Sequence, residues 1–233
     1  MSRIIGERLS EEIISIDLCD AGKDLSRYVI PEDAFVLIGM PSYGGRVPQV
    51  AIERLKQISG NGARCLLVCV YGNRAYEDTL VEMEDAAKEC GFRVVAAVAA
   101  IAEHSIAQQY AENRPDASDK KQLEEFADRV AAKMEIVSSI PGNRPYKKVG
   151  GGPGMAPSAG EACVRCGACV RGCPVQAIDK ESLAADPEKC ISCMRCVKVC
   201  PKKTRNIASE RLAAISAALG KVCSDRKENE FFL

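Results

Sequence analysis

Residues 163–174 read CVRCGACVRGCP, and residues 190–201 read CISCMRCVKVCP. Both runs have the form C-x-x-C-x-x-C-x-x-x-C-P, the bacterial iron–sulfur spacing. The pattern follows from geometry. A cubane cluster needs four thiolates at the corners of a tetrahedron. Three thiolates, each separated from the next by two residues, can wrap one face from a single tight loop. The fourth has to come from elsewhere.

In two-cluster ferredoxins the fourth ligand comes from the other run. On that pattern Cys163, Cys166, Cys169 and Cys200 form one ligand set, and Cys190, Cys193, Cys196 and Cys173 form the other. Zinc knuckles built from C-x-x-C pairs are one alternative, but zinc needs neither the third cysteine nor the C-P ending in both runs. A disulfide framework is the other, and no secretory signal precedes it. Two [4Fe–4S] clusters are the expectation. Five further cysteines, Cys19, Cys65, Cys69, Cys90 and Cys223, read as small buried hydrophobes.

Around this stretch the chain is ordinary for a globular protein of 233 residues, with 47% hydrophobic and 27% charged residues. No apolar run approaches the ~18 residues of a membrane span, and the first residues resemble neither a signal nor a transit peptide. A cytoplasmic protein without a membrane role is expected. The net charge of zero gives nucleic-acid binding no electrostatic support. The charge is unevenly spread. Residues 1–160 hold 19 Lys+Arg against 23 Asp+Glu, and residues 161–233 hold 13 against 9. Clusters with a charge of roughly −2 apiece would be offset by that basic excess. A solvated basic face would look the same.

Residues 141–160, PGNRPYKKVGGGPGMAPSAG, carry six Gly and four Pro and read as a linker. Before it, strand and helix patterns alternate. Strands are expected at 13–18, 34–40, 64–70 and 93–101, although the alanines of the last also suit a helix. Helices are expected at 47–58, 76–90 and 119–137. Such alternation predicts an α/β domain with a parallel sheet and helices on both faces.

Ligands of such sheets bind at the carboxyl ends of the strands. Two loops there, PSYGGRVP at 41–48 and YGNRAY at 71–76, each offer an aromatic ring, glycine and an arginine. Together they suggest a flavin pocket. His104, the sole histidine, follows the last of these strands. It is a candidate proton donor or, equally, a capping residue.

PSYGGRVP, YGNRAYED at 71–78, AEHSI at 102–106, NRPD at 113–116, both cysteine runs and RKENEFFL at 226–233 resemble the flavodoxin–ferredoxin fusion proteins of anaerobic bacteria. The likeness spans residues 30–233. It implies a flavodoxin-like doubly wound parallel sheet at 1–140, the linker at 141–160, a small α+β two-cluster ferredoxin domain at 161–206, and a C-terminal helix and tail at 207–233. It further implies FMN, with Tyr43 and Tyr76 flanking the ring and Gly44, Gly72 and Asn73 supplying contacts.

One part of that pattern is missing. Flavodoxin-like proteins open with a strand and a phosphate-wrapping loop at a helix N-terminus. Residues 2–9 read instead as the remainder of that first helix, so the domain is expected to be N-terminally incomplete. Either a downstream start has been assigned, or the sheet rearranges to place 13–18 beside 34–40, with FMN bound weakly or not at all.

Function follows as an expectation: single-electron transfer through two clusters, to or from an FMN, with redox proteins as partners. A flavin reductase acting on a small organic acceptor is one alternative, and a non-catalytic cluster-stabilised sensing module is the other. Val164, Val170, Val175, Ile178, Ile191, Met194 and Val197 are expected to exclude water from the clusters. Leu212, Ile215 and Leu219 form a helical stripe suited to packing the cysteine-rich part back on the sheet domain.

Overall fold

The computed structural model describes residues 1–133, 135–137, 139–149 and 154–233; the GGGP core of the linker, at 150–153, lies outside them. Strands β2 (Arg64–Tyr71) and β3 (Arg93–Ile101) are continuous apolar runs because both of their faces are covered. β1 (Phe35–Pro41) pairs parallel with β2, and β2 pairs parallel with β3 through a bulge between Cys65 and Leu66. Alternation divides their side chains. Leu67, Cys69, Ala97 and Ala99 face α2 (Gln49–Leu55) and α3 (Thr79–Glu89). Leu66, Val68, Ala96 and Val98 face α1 (Ser2–Leu9) and α4 (Ala117–Lys133). The result is a mixed α/β unit around a mostly parallel sheet.

The alanines of β3 do not make it a helix, because it is buried on both faces between two helical layers. Its outer edge is closed by β6 (Glu230–Phe232), which pairs antiparallel with Val98 opposite Phe231. Sequence reading missed this strand, as three residues give no period.

The strand expected at 13–18 does not form. Ile14 is 93% and Ile13 47% exposed, while Ile16 and Leu18 alone pack on the core. Backbone N–H groups in this region are taken by local aspartates instead of a ladder. Cys19 N donates to Asp17 at 2.8 Å and Gly22 N to Asp20 at 3.0 Å. The rearranged pairing of 13–18 with 34–40 is therefore absent, and β1 bonds to β2 on one side only.

Residues 141–149 lie along α3. Asp78 accepts from the N–H and side-chain amide of Asn143 and from Lys147 N, and Arg144 pairs with Asp85. Burial alone would raise the Asp78 carboxyl, but these N–H donors outweigh it and hold the group below its usual range.

The cysteine-rich part is built from short pieces. These are the ribbon of β4 (Ser158–Ala159) with β5 (Arg205–Asn206), and single-turn helices α5 (Ala168–Arg171) and α6 (Arg195–Lys198). Beyond them α7 (Ser209–Cys223) touches the α/β unit through its second half, where Tyr110 Oη donates to the Ser216 carbonyl at 2.7 Å. The expected stripe of Leu212, Ile215 and Leu219 is only half-buried.

Candidate metal centre

The two cysteine runs share a backbone conformation as well as a spacing. Counting from the first cysteine of each run, the residues two, four and thirteen positions on all have positive φ. They are Arg165 (54°), Gly167 (72°) and Gln176 (49°) in the first half, and Ser192 (56°), Met194 (56°) and Lys203 (53°) in the second. Five of the six are not glycine, and each left-handed residue of that kind costs on the order of 1 kcal/mol. The conformation turns successive N–H groups inward as an anion-binding concavity. Its donors reach sulfur: Arg165 N lies 3.4 Å from Cys163 Sγ, and Ala177 N lies 3.2 Å from Cys173 Sγ. Thr204, four residues past Cys200 as Ala177 is past Cys173, directs its hydroxyl and N–H at the Cys200 sulfur. That hydroxyl contact, foremost, brings the thiol down to about 7.

The runs interlock. Cys163, Cys166, Cys169 and Cys200 surround one cavity. Cys173, Cys190, Cys193 and Cys196 surround another. Each takes three cysteines from one run and the last from the other.

The second tetrad is the drier. Burial pushes the Cys193 and Cys196 thiols up, and Ile178 and Met194 seal the cavity wall. Around the first tetrad Cys166 is exposed and Val164 is 58% exposed, so Val164 does not shield it. Its place in the outward-facing part of the loop explains the difference from expectation.

Residues 162–204 match the family model of the 4Fe-4S dicluster domain. This stretch is a ferredoxin-type domain. The match contains both runs and stops short of the α/β unit. Comparison with curated proteins and with solved structures gave no match.

The ferredoxin-type domain meets the α/β unit at its second tetrad. Arg54 of α2 donates to the Pro174 carbonyl, beside Cys173, and to the Leu18 carbonyl, both at 2.7 Å. Arg195 reaches Asp17 at 3.4 Å. Tyr43, one of the residues expected to flank a flavin, is half-buried and lies near Cys193. Burial, then the neighbouring thiols, raise its phenol strongly.

The other strand-end residues have local partners. Gly44 (φ 64°) and Gly45 (φ 85°) form the tight turn that joins Tyr43 to Arg46, and a Cβ on Gly45 would collide with Glu77. Gly72 packs against His104. Asn73 is buried, and its amide donates to the carbonyls of Cys223 at 2.9 Å and Asp225 at 2.8 Å. Tyr76 stacks edge-on against Tyr71 at 5.3 Å and donates its hydroxyl to Glu230 at 2.9 Å. The short motifs at 71–78, 102–106, 113–116 and 226–233 are thus one neighbourhood, in which the α/β unit grips the C-terminal segment.

His104 has a capping role. Its Nδ1 accepts the N–H groups of Ile106 at 3.2 Å and Ala107 at 3.1 Å. Burial, then the charge of Arg74, lower its pKa from 6.5. The folded state therefore resists protonation more than the unfolded chain does. His104 contributes stability that is full above pH 6.5 and is lost as the pH falls below it. His104→Asn keeps an acceptor but cannot titrate. Denaturant unfolding between pH 7 and pH 5 should show a flatter loss of stability in this variant than in the parent; equal slopes would refute the role.

Proposed function

We propose that the chain carries single electrons through two [4Fe–4S] clusters, one held by Cys163, Cys166, Cys169 and Cys200, the other by Cys190, Cys193, Cys196 and Cys173. The observation that supports this most is the interlocked pair of four-cysteine cavities. When bound, such clusters each exchange one electron at a potential set by their surroundings. The protein's part is to hold the thiolates, direct N–H groups at sulfur and exclude water. It does the last better at the second tetrad, through Ile178 and Met194. Exposed Cys166 and Val164 make the first tetrad the side that a redox partner protein would meet. The second tetrad lies near Tyr43 and the α/β unit.

The α/β unit, in this reading, is a flavodoxin-like scaffold occupying residues 1–140. As placed, its strand-end loops fit a flavin poorly. The Asn73 amide and the Tyr76 hydroxyl are engaged by the chain itself, and His104 and Glu77 stand against Gly72 and Gly45.

Anaerobically purified protein should contain about eight iron and eight acid-labile sulfide per chain and show a brown chromophore bleached by dithionite. Iron near four per chain would leave a single cluster. Stoichiometric zinc without sulfide would end the proposal.

A further inference from the structure

Arg205 is the residue of the ferredoxin-type domain that simple burial rules would not place where it is. It lies in β5, one residue past the Cys200 loop, and is 1% exposed. A guanidinium stays protonated in proteins and carries five N–H donors. Here Nη1 donates to the Leu183 carbonyl at 3.0 Å and lies 3.8 Å from Cys169 Sγ. Nε and Nη2 are buried with no hydrogen-bond partner among the described residues. No carboxylate lies within ion-pair distance of it among those residues. An unbalanced buried cation with idle donors is strongly unfavourable, so its neighbours ought to supply negative charge.

Those neighbours are sulfur. The side chain lines the cavity of the first tetrad and sits beside Cys169. It shares that cavity with Cys200, the fourth sulfur of the set. One cation thus borders the first cysteine set. Four thiolates around an iron–sulfur core carry net negative charge, which grows with each electron taken up. We infer that Arg205 is the internal counter-cation of the first centre and holds its reduction potential above the value it would have without it. This inference rests on the two-cluster reading above.

The test is potentiometry on anaerobically purified holoprotein, with dithionite as reductant and the reduced clusters followed by electron paramagnetic resonance. In Arg205→Gln the potential of the first centre should fall, and that of the second should move less. The expected shift is about tenfold or more in the oxidised-to-reduced ratio at fixed potential, about 59 mV for a one-electron couple. Lys198→Gln removes the same charge from an exposed site between two ligands and should move neither potential comparably. Arg205→Lys retains the charge and should stay near the parent values. A variant that loses its clusters as Gln but keeps them as Lys supports the proposal. Loss of clusters in the Lys variant as well, unchanged potentials in Arg205→Gln, or a shift confined to the second centre would overturn it. Parent protein without clusters would instead refute the two-cluster reading, which separates the two failures.

Discussion

Cys200→Ala should abolish the cluster associated with the first run and spare the one associated with its own. Iron and sulfide should fall by about half. The surviving centre should be the one whose cavity is walled by Ile178 and Met194, because Cys200 completes the set of Cys163, Cys166 and Cys169. Cys173→Ala should give the reciprocal result. The two variants need not be equally stable. Metal binding in a small domain is folding free energy, and the first tetrad is the more open to water. Retained spectroscopic features distinguish the centres if each is first marked in the parent by its access to an added chelator, which should reach the first tetrad sooner. If Cys200→Ala leaves the open centre intact and removes the dry one, the interlocked wiring is wrong.

Asp119→Ala should cost about 3–5 kcal/mol of stability, the usual penalty for stranding one partner of a buried ion pair. Asp119 is fully buried. It pairs bidentately with Arg114, whose Nε lies at 2.7 Å, accepts the Asp116 N–H at 2.9 Å, and accepts from the Asn229 amide at 2.9 Å. Burial would raise its carboxyl, but the Arg114 contacts, with Asp116 and Asn229, hold it below the usual range. A depressed folded value means stability that is present at neutral pH and lost as acid titrates the group. Without the carboxylate, Arg114 keeps only the Lys227 carbonyl, at 2.5 Å. The damage should extend to β6. Asn229 loses one of its partners and the segment from 226 should become sensitive to protease. Urea unfolding of the holoprotein measures the cost, and Asp119→Asn, which retains an acceptor, should be milder. A loss below 1 kcal/mol with an unaltered digestion pattern would show the pair to be dispensable.

Much of this arrangement could be read from the chain. The two cysteine runs announce their chemistry by spacing alone, and β2 and β3 declare themselves as apolar runs buried on both faces. The region 13–18 misleads because its apolar residues match a strand locally, while strand formation depends on a neighbour to bond with, which no local pattern contains. β6 is too short to show a period. The roles of Asn73, Tyr76 and His104 were hidden for a different reason. Loop residues near strand ends look like ligand contacts whether the partner is a cofactor or a distant part of the same chain. Arg205 had no signal at all, since arginine is mostly exposed and only the fold reveals that this one is not.

The matched left-handed positions in the two halves, running from Cys163 and from Cys190, mean that one backbone template is written twice with different letters: Arg165 for Ser192, Gly167 for Met194, Gln176 for Lys203. The two halves share a path of torsion angles together with their cysteine and proline positions, while the residues at the left-handed positions differ. Where the two tetrads differ, the difference resides in the walls around them: Ile178 and Met194 at one, Leu183 and Thr204 at the other.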